Sequence, residues 1–270
     1  MSGSGENRPR LHTVRTETYA SLPSTQQLLK ERVRRGEGVD GLVVRAREQT
    51  AGLGRQGKRW TGPPGGSYQS VAFADPTGQL RRTYTALAVA IGIAEALCAA
   101  GAPVKVKWPN DLYLADGKLG GVLSEYVRGH LVVGIGINVA NEVPAGARAL
   151  GGWDVSTVGD LALAGARRGL EDLVLGEAAR DVEPPGAGEG DPASARSEAL
   201  PAGNSAQAGN RRLTDRYAAL DLLTGMQVVV ATAAGEVAGV AHGVDASGSL
   251  LVLGPTGVQR IISGSVVSWG

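Results

Sequence analysis

Three lysines, an asparagine and two aspartates share one short window of the chain, Lys105 to Glu125, which reads KVKWPNDLYLADGKLGGVLSE. The chain otherwise carries its positive charge on arginine. Of 27 basic residues 22 are arginine, and the five lysines are Lys30, Lys58, Lys105, Lys107 and Lys118. Lysine is a compact, rotatable point charge, whereas arginine is a planar fork. A pair of neighbouring ammonium groups therefore suits a phosphate or a carboxylate. Chance in an arginine-rich chain gives the same cluster, and spacing alone does not choose between the two. Inside the window, Trp108-Pro109-Asn110-Asp111 follows a strand-like VKVK stretch. Proline fixes its own φ and holds the preceding residue extended. Asn110 and Asp111 then place an amide and a carboxylate at a turn, a combination that is also common for purely conformational reasons. As chemistry, Asp111 could orient a metal ion or a reacting group beside Lys107. Strand alternation could bring Lys107 and Lys118 to one anion.

A second candidate is TAGLGRQGKRWTGPPGG, Thr50 to Gly66, with six glycines, three basic residues and no acid. Gly52, Gly54 and Gly57 match the GxGxxG pattern of dinucleotide sites. That fingerprint needs its last glycine to open a helix. Here Gly62-Pro63-Pro64-Gly65-Gly66 forbids one. The segment reads instead as a long irregular loop whose amides and cations, Arg55, Lys58 and Arg59, could wrap an anion. An ordinary surface loop is the alternative, although loops of this length are often functional. No Walker sequence occurs.

Gly134-Ile135-Gly136-Ile137-Asn138 ends an apolar strand. Glycine there marks close approach by a ligand or by another backbone, and Asn138 could hold a base edge or cap a turn. His12, His130 and His242 are isolated, and no Ser-His-Asp spacing can be argued.

These residues need elements to hold them. The spacing predicts a strand over Leu11–Ala20, then a helix capped by Ser24 or Thr25 and stopped at Gly36. Strands follow at Gly41–Arg47 and Ser67–Ala74, and a helix over Thr83–Ala100 ends at Gly101. VKVKW, DLYL, LGGVLSEYV and HLVVGIGINV read as short strands joined by tight turns. A helix is expected from Ser156 to about Ala179. Residues 181–210 are rich in Gly, Pro, Ala and Ser, a composition expected to stay disordered. A short helix over Leu213–Leu223 precedes a β-rich stretch from Gly225 to Trp269, expected to form a small barrel of about five strands.

Composition sets the outer bounds. The chain has 270 residues, 43% hydrophobic and 20% charged, with a formal net charge of +1. No global field recruits nucleic acid or an anionic membrane. The single cysteine, Cys98, excludes an intrachain disulfide and a cysteine-based metal site. The start lacks a signal-peptide core, and the most apolar run, Thr85–Ala100, is too short to span a bilayer. A cytoplasmic location is the expectation.

Taken together, Ser24-Thr25-Gln26, AGLGRQGKRW, KWPNDLYL, KLGGVLSE and GIGINV resemble, in order, the signature segments of the biotin protein ligase family. In that family these are a Ser-Thr-Asn-like segment, GRGRRGRxW, KWPNDL, a K[LI][AG]G[IV]L[VS]E segment and a G[IA]GIN strand. Two departures stand in this chain: Leu53 replaces an arginine of the glycine loop, and Gln26 replaces the asparagine. The resemblance implies an α+β fold, a mixed but mostly antiparallel sheet packed with helices, like the class II aminoacyl-tRNA synthetases. A small SH3-like barrel would follow it. The implied layout is a polar N-terminus over 1–10, a catalytic domain over 11–222 with an insertion at 181–210, and a C-terminal domain over 223–270. The monofunctional class, without a DNA-binding domain, fits the polar start.

The implied activity is ATP-dependent joining of biotin to a lysine of a biotin carboxyl carrier protein, through biotinyl-5′-adenylate. ATP, Mg²⁺ and biotin are the expected small molecules, and a monomer or homodimer the expected state. The resemblance gives Lys118, Arg55, Asp111 and Lys107 catalytic roles, with Asp111 the magnesium candidate. Biotin would lie against Ser24, Thr25, Gln26, Gln49, Gly52, Leu53, Gly54, Arg55, Lys118, Gly120 and Gly121. ATP would meet Arg55, Lys58, Arg59, Trp60, Lys107, Asn110 and Asn138. A lipoate or octanoate ligase and a non-catalytic biotin-binding module are the competing readings.

Overall fold

The computed structural model describes residues 11–12, 15–178 and 212–270. Seven strands form the main sheet: β1 (Arg15–Tyr19), β2 (Leu42–Ala46), β5 (Ser67–Ala74), β6 (Val104–Lys107), β7 (Asp111–Leu114), β8 (Gly117–Val127) and β9 (His130–Ile137). Their order is β1-β2-β5-β9-β8-β7-β6. Only β1 and β2 pair in parallel; every other neighbouring pair is antiparallel.

Alternation along the strands sorts side chains onto two faces. Val43, Val71, Phe73, Leu131 and Val133 are buried in the larger core, beneath α2 (Thr85–Ala99) and α3 (Val155–Ala178). Val44, Ala72 and Val132 are buried on the opposite face with Leu29 and Val33 of α1 (Thr25–Arg34). Gly134 and Gly136 share the face of Val132, so that face loses its side chains just beyond α1.

The helices start and stop for local reasons. Ser24 caps α1 by accepting from the Gln27 amide, 3.4 Å, and Gly36 follows with φ +74°. α2 is buried on nearly every side and approaches α3 through glycine. A Cβ at Gly92 would stand 2.1 Å from the Gly165 oxygen, too close for any other residue. Arg216 of α4 (Leu213–Leu220) is buried and ties the helices together. It pairs with Glu95 at 2.7 and 3.0 Å and with Asp172 at 2.7 Å.

Residues Thr50–Gly66, expected as an irregular loop, are largely a β-hairpin. β3 (Gln49–Leu53) pairs with β4 (Arg59–Gly62) across a 3₁₀ turn at Arg55–Gly57. The glycines explain the difference. A Cβ at Gly52 would lie 2.7 Å from the Trp60 oxygen, so only glycine lets the strands close here. Gln56 and Gly57 turn the chain with positive φ.

The C-terminal region holds five antiparallel strands as expected: β10 (Gln227–Thr232), β11 (Gly235–Val244), β12 (Leu250–Gly254), β13 (Gly257–Ile261) and β14 (Ser265–Trp269). Their order is β13-β12-β11-β10-β14, with β13 and β14 at the edges. No pairing closes those edges into a barrel among the described residues. The expected disorder at 181–210 and the polar start at 1–10 lie outside the described residues. No described helix is long and apolar enough to cross a membrane.

Candidate functional site

A cavity of about 250 Å³ opens on the sheet face that carries α1. Its floor is made of facing strand pairs, Gly121 opposite Gly136 and Leu123 opposite Gly134, with Ser70 beyond Gly134. Trp60 of β4 lies over this floor. A Cβ at Gly136 would reach the indole at 2.9 Å, so glycine makes room for the ring.

At one end, the N-terminus of α1 supplies a polar pocket. The Thr25 amide and hydroxyl donate to Gln49 Oε1 at 2.8 and 3.1 Å, and the hydroxyl lies 2.9 Å from Ser70 Oγ. Gln26 is buried, and its Nε2 donates to Glu125 at 3.0 Å and to the Val132 carbonyl at 3.2 Å. Glu125 also takes Lys30 at 2.6 Å.

The other end is cationic. Lys118 Nζ donates to Asp111 Oδ1 at 2.7 Å and stands 5.7 Å from the Trp60 ring centre. Arg55, on the 3₁₀ turn, donates to Asn110 Oδ1 at 3.2 Å and to the Gly264 carbonyl at 3.3 Å. Burial pulls its pKa down, and the Asp111 charge partly offsets this. Asn110 is fixed by donating to the Val122 carbonyl at 2.7 Å. Trp108 precedes Pro109 across a cis bond and donates to the Gly248 carbonyl at 2.9 Å. Lys107 is buried and donates to the Val266 carbonyl at 2.9 Å. Burial is the main cause that lowers its pKa to about 8; Asp111 opposes this, and Lys118 and Lys58 reinforce it.

The site therefore joins a neutral hydrogen-bonding pocket to a cluster of cations, across a floor opened by Gly121, Gly134 and Gly136. Such a layout holds a polar head at one end and neutralises two anions at the other.

Residues 18–141 match the model of the Biotin/lipoate A/B protein ligase family, and residues 224–269 match that of the Biotin protein ligase C terminal domain. The chain belongs to the biotin protein ligase family. A biotin--[acetyl-CoA-carboxylase] ligase of Paracoccus denitrificans is 29% identical over 92% of this chain and all of its own length. The bifunctional ligase/repressor BirA of Escherichia coli is 40% identical over 126 residues, 44% of this chain and 39% of that one. Thus the chain spans the whole of one relative and under half of the other. The structure of the Aquifex aeolicus biotin protein ligase in complex with biotin and ATP aligns with a TM-score of 0.71, at 25% identity. The alignment covers 94% of this chain and 98% of that one.

Within this biotin protein ligase fold the cavity wall contains Ser24, Thr25, Gln26, Gln49, Leu53, Gly54, Arg55, Lys58, Arg59, Trp60, Lys107, Asn110, Asp111, Lys118 and Gly121. Three expected residues are not on it. Gly52 is enclosed by its hairpin partner Trp60, and a Cβ at Gly120 would meet the Gly136 oxygen at 2.5 Å. Asn138 is buried in a turn, where its Oδ1 accepts from Asn141 Nδ2 at 3.0 Å and Asn141 Oδ1 in turn accepts from the Val139 amide at 3.0 Å. Sequence reasoning also missed members of the wall. Gln69 and Ser70 line it from β5, and Ser265 and Val266 from β14. The polar pair inside SYQSVAFA was the available signal for the first two. Nothing in the sequence pointed to the last two.

Among the described residues no three His, Cys, Asp or Glu side chains gather to hold a metal ion, and Asp111 is the single carboxylate on the cavity wall. Magnesium typically takes one or two carboxylates and fills its shell with phosphate oxygens and water. Asp111 fits that role only together with a bound nucleotide.

Proposed function

We propose that the chain joins biotin to a lysine of a carrier protein in two ATP-dependent half-reactions, both in this one cavity. The observation that carries the reading is the convergence of Lys118, Arg55 and Lys107 on a glycine floor that continues into the Thr25–Gln49–Ser70 pocket. In the first half-reaction a biotin carboxylate oxygen forms a bond to the α-phosphorus of ATP, and pyrophosphate leaves. Two anions must meet, so Lys118 sits where it can bridge the carboxylate and the α-phosphate. Arg55 and Lys107 offset the charge that develops on the phosphates. Ser24, Thr25 and Gln49 hydrogen-bond the polar ureido head, and Trp60 covers the apolar middle. Magnesium, when bound through Asp111 and phosphate oxygens, supplies further charge neutralisation.

In the second half-reaction the carrier lysine amine attacks the acyl carbonyl of the mixed anhydride, an amide forms and AMP leaves. The β3–β4 hairpin excludes water from that hydrolysable anhydride until the carrier arrives. The carrier is a biotin carboxyl carrier domain, the setting is the cytoplasm, and no nucleic acid takes part. The catalytic domain covers 11–222. The five C-terminal strands from 223 onward form an SH3-like module beside a class II synthetase-like sheet.

The test is acceptor labelling. The purified chain, with ATP and a biotin carrier domain, should transfer biotin to one lysine, read by intact and peptide mass. Labelling of the same lysine by lipoate or octanoate, with none by biotin, overturns the substrate assignment.

A further inference from the structure

Lys107 belongs to β6 of the main sheet, yet its ammonium is held chiefly from the C-terminal sheet. Nζ donates to the Val266 carbonyl at 2.9 Å and lies 3.8 Å from the centre of the Trp269 ring. The Tyr113 ring is 5.7 Å away on another side and meets the Trp269 ring edge to face, with centroids 5.8 Å apart at 88°. Four further cations, Arg55, Lys58, Arg59 and Lys118, share the cavity wall with Lys107. A lysine only 6% exposed beside like charges needs compensating partners, and the nearby Asp111 is already hydrogen-bonded to Lys118 at 2.7 Å. The electron-rich face of an indole provides one, and provides it without a competing negative charge that would repel phosphate. A carboxylate in that place would neutralise the very cation the nucleotide has to meet. Trp269 does not line the cavity, so it acts on a substrate only through Lys107.

We propose that Trp269 is a positioning residue for the nucleotide half of the reaction: its indole face holds the Lys107 ammonium in the cavity wall where a phosphate of ATP reaches it. This rests on the reading of Lys107 as a phosphate ligand. Without the ring, a flexible four-carbon stem keeps one hydrogen bond to Val266 and its head is free to swing. The loss falls on ATP binding, while the biotin pocket at Thr25 and Gln49 lies at the other end of the cavity and is untouched.

The experiment uses the full chain and measures biotin-dependent ATP–pyrophosphate exchange, with biotin affinity and melting temperature as controls. Trp269→Leu should raise the KM for ATP about tenfold with kcat within about twofold, the pattern of a lost binding contact. Trp269→Phe keeps a π face and should stay within about threefold of the parent. Biotin affinity should not change in either. If Lys107→Ala raises the KM for ATP while Trp269→Leu does not, the positioning role is overturned and the phosphate role of Lys107 stands. If Lys107→Ala leaves that KM unchanged, the phosphate role itself fails and the proposal falls with it. A Trp269→Leu variant that loses biotin affinity and melting temperature together has a merely structural tryptophan, which also overturns it.

Discussion

Lys118 and Asp111 are joined by a 2.7 Å hydrogen bond between two adjacent antiparallel strands, β8 and β7. Both side chains stay partly exposed, at 35% and 19%. The pair is thus open to the cavity rather than sealed in the core, and it is worth little to stability. Partly exposed pairs of this kind contribute about 1 kcal/mol or less. Its geometry serves ligand binding instead: the carboxylate keeps the ammonium pointed at the cavity until a substrate anion replaces it.

Arg55 should act as a retaining group. It links the hairpin turn to Asn110 and to the Gly264 carbonyl. Arg55→Gly removes both ties, so the adenylate should escape before the carrier arrives and label protein lysines at random. Mass spectrometry of bystander proteins checks this. Labelling still confined to one carrier lysine contradicts the enclosure role.

A pH dependence follows from Lys107. Its free-state pKa is lowered from the usual lysine range to about 8, chiefly by burial. Below that value the group is an ammonium and attracts phosphate; above it the charge is lost. Of the charged groups around it, Asp111 opposes the lowering, and Lys118 and Lys58 add to it. The kcat/KM for ATP should therefore fall as pH rises through about 8, since this parameter reports the free enzyme. Lys107→Arg keeps its charge and should move the fall to higher pH. An identical alkaline limb in that variant assigns the titration to another group.

Gly136 should be intolerant of a side chain. An added Cβ meets the Trp60 indole at 2.9 Å, so Gly136→Val must lift the ring that covers the floor. Calorimetric titration should show biotin affinity reduced at least about tenfold, or about 1.4 kcal/mol. Circular dichroism should remain that of the parent, because the hairpin is not part of the main core. Unchanged affinity would show that Trp60 does not cover the ligand.

The strands and helices were legible because their causes are local. Ser24, Gly36 and Gly101 punctuate helices, and the alternation of VKVK, DLYL and HLVVGIGI reads directly as strand. The cation cluster was legible for the same reason, since Lys107, Asp111 and Lys118 sit on consecutive strands. The hairpin at Gln49–Gly62 was not. Its glycines signal flexibility in the sequence, but in the fold they permit close pairing, and only the facing Trp60 decides which. The contribution of β14 was hidden as well. Val266 and Gly264 act through backbone carbonyls, which every residue carries, and they come from a stretch more than a hundred residues away in sequence.

The central claim is that one cavity, through Lys118, forms an acyl-adenylate from biotin and ATP. Its most direct test is biotin-dependent exchange of labelled pyrophosphate into ATP, by the parent chain and by Lys118→Ala. The parent should support exchange with biotin and not with lipoate, and the variant should lose it by at least about a thousandfold with an unchanged melting temperature. Exchange at the parental rate in Lys118→Ala, or exchange that does not need biotin, would contradict the account.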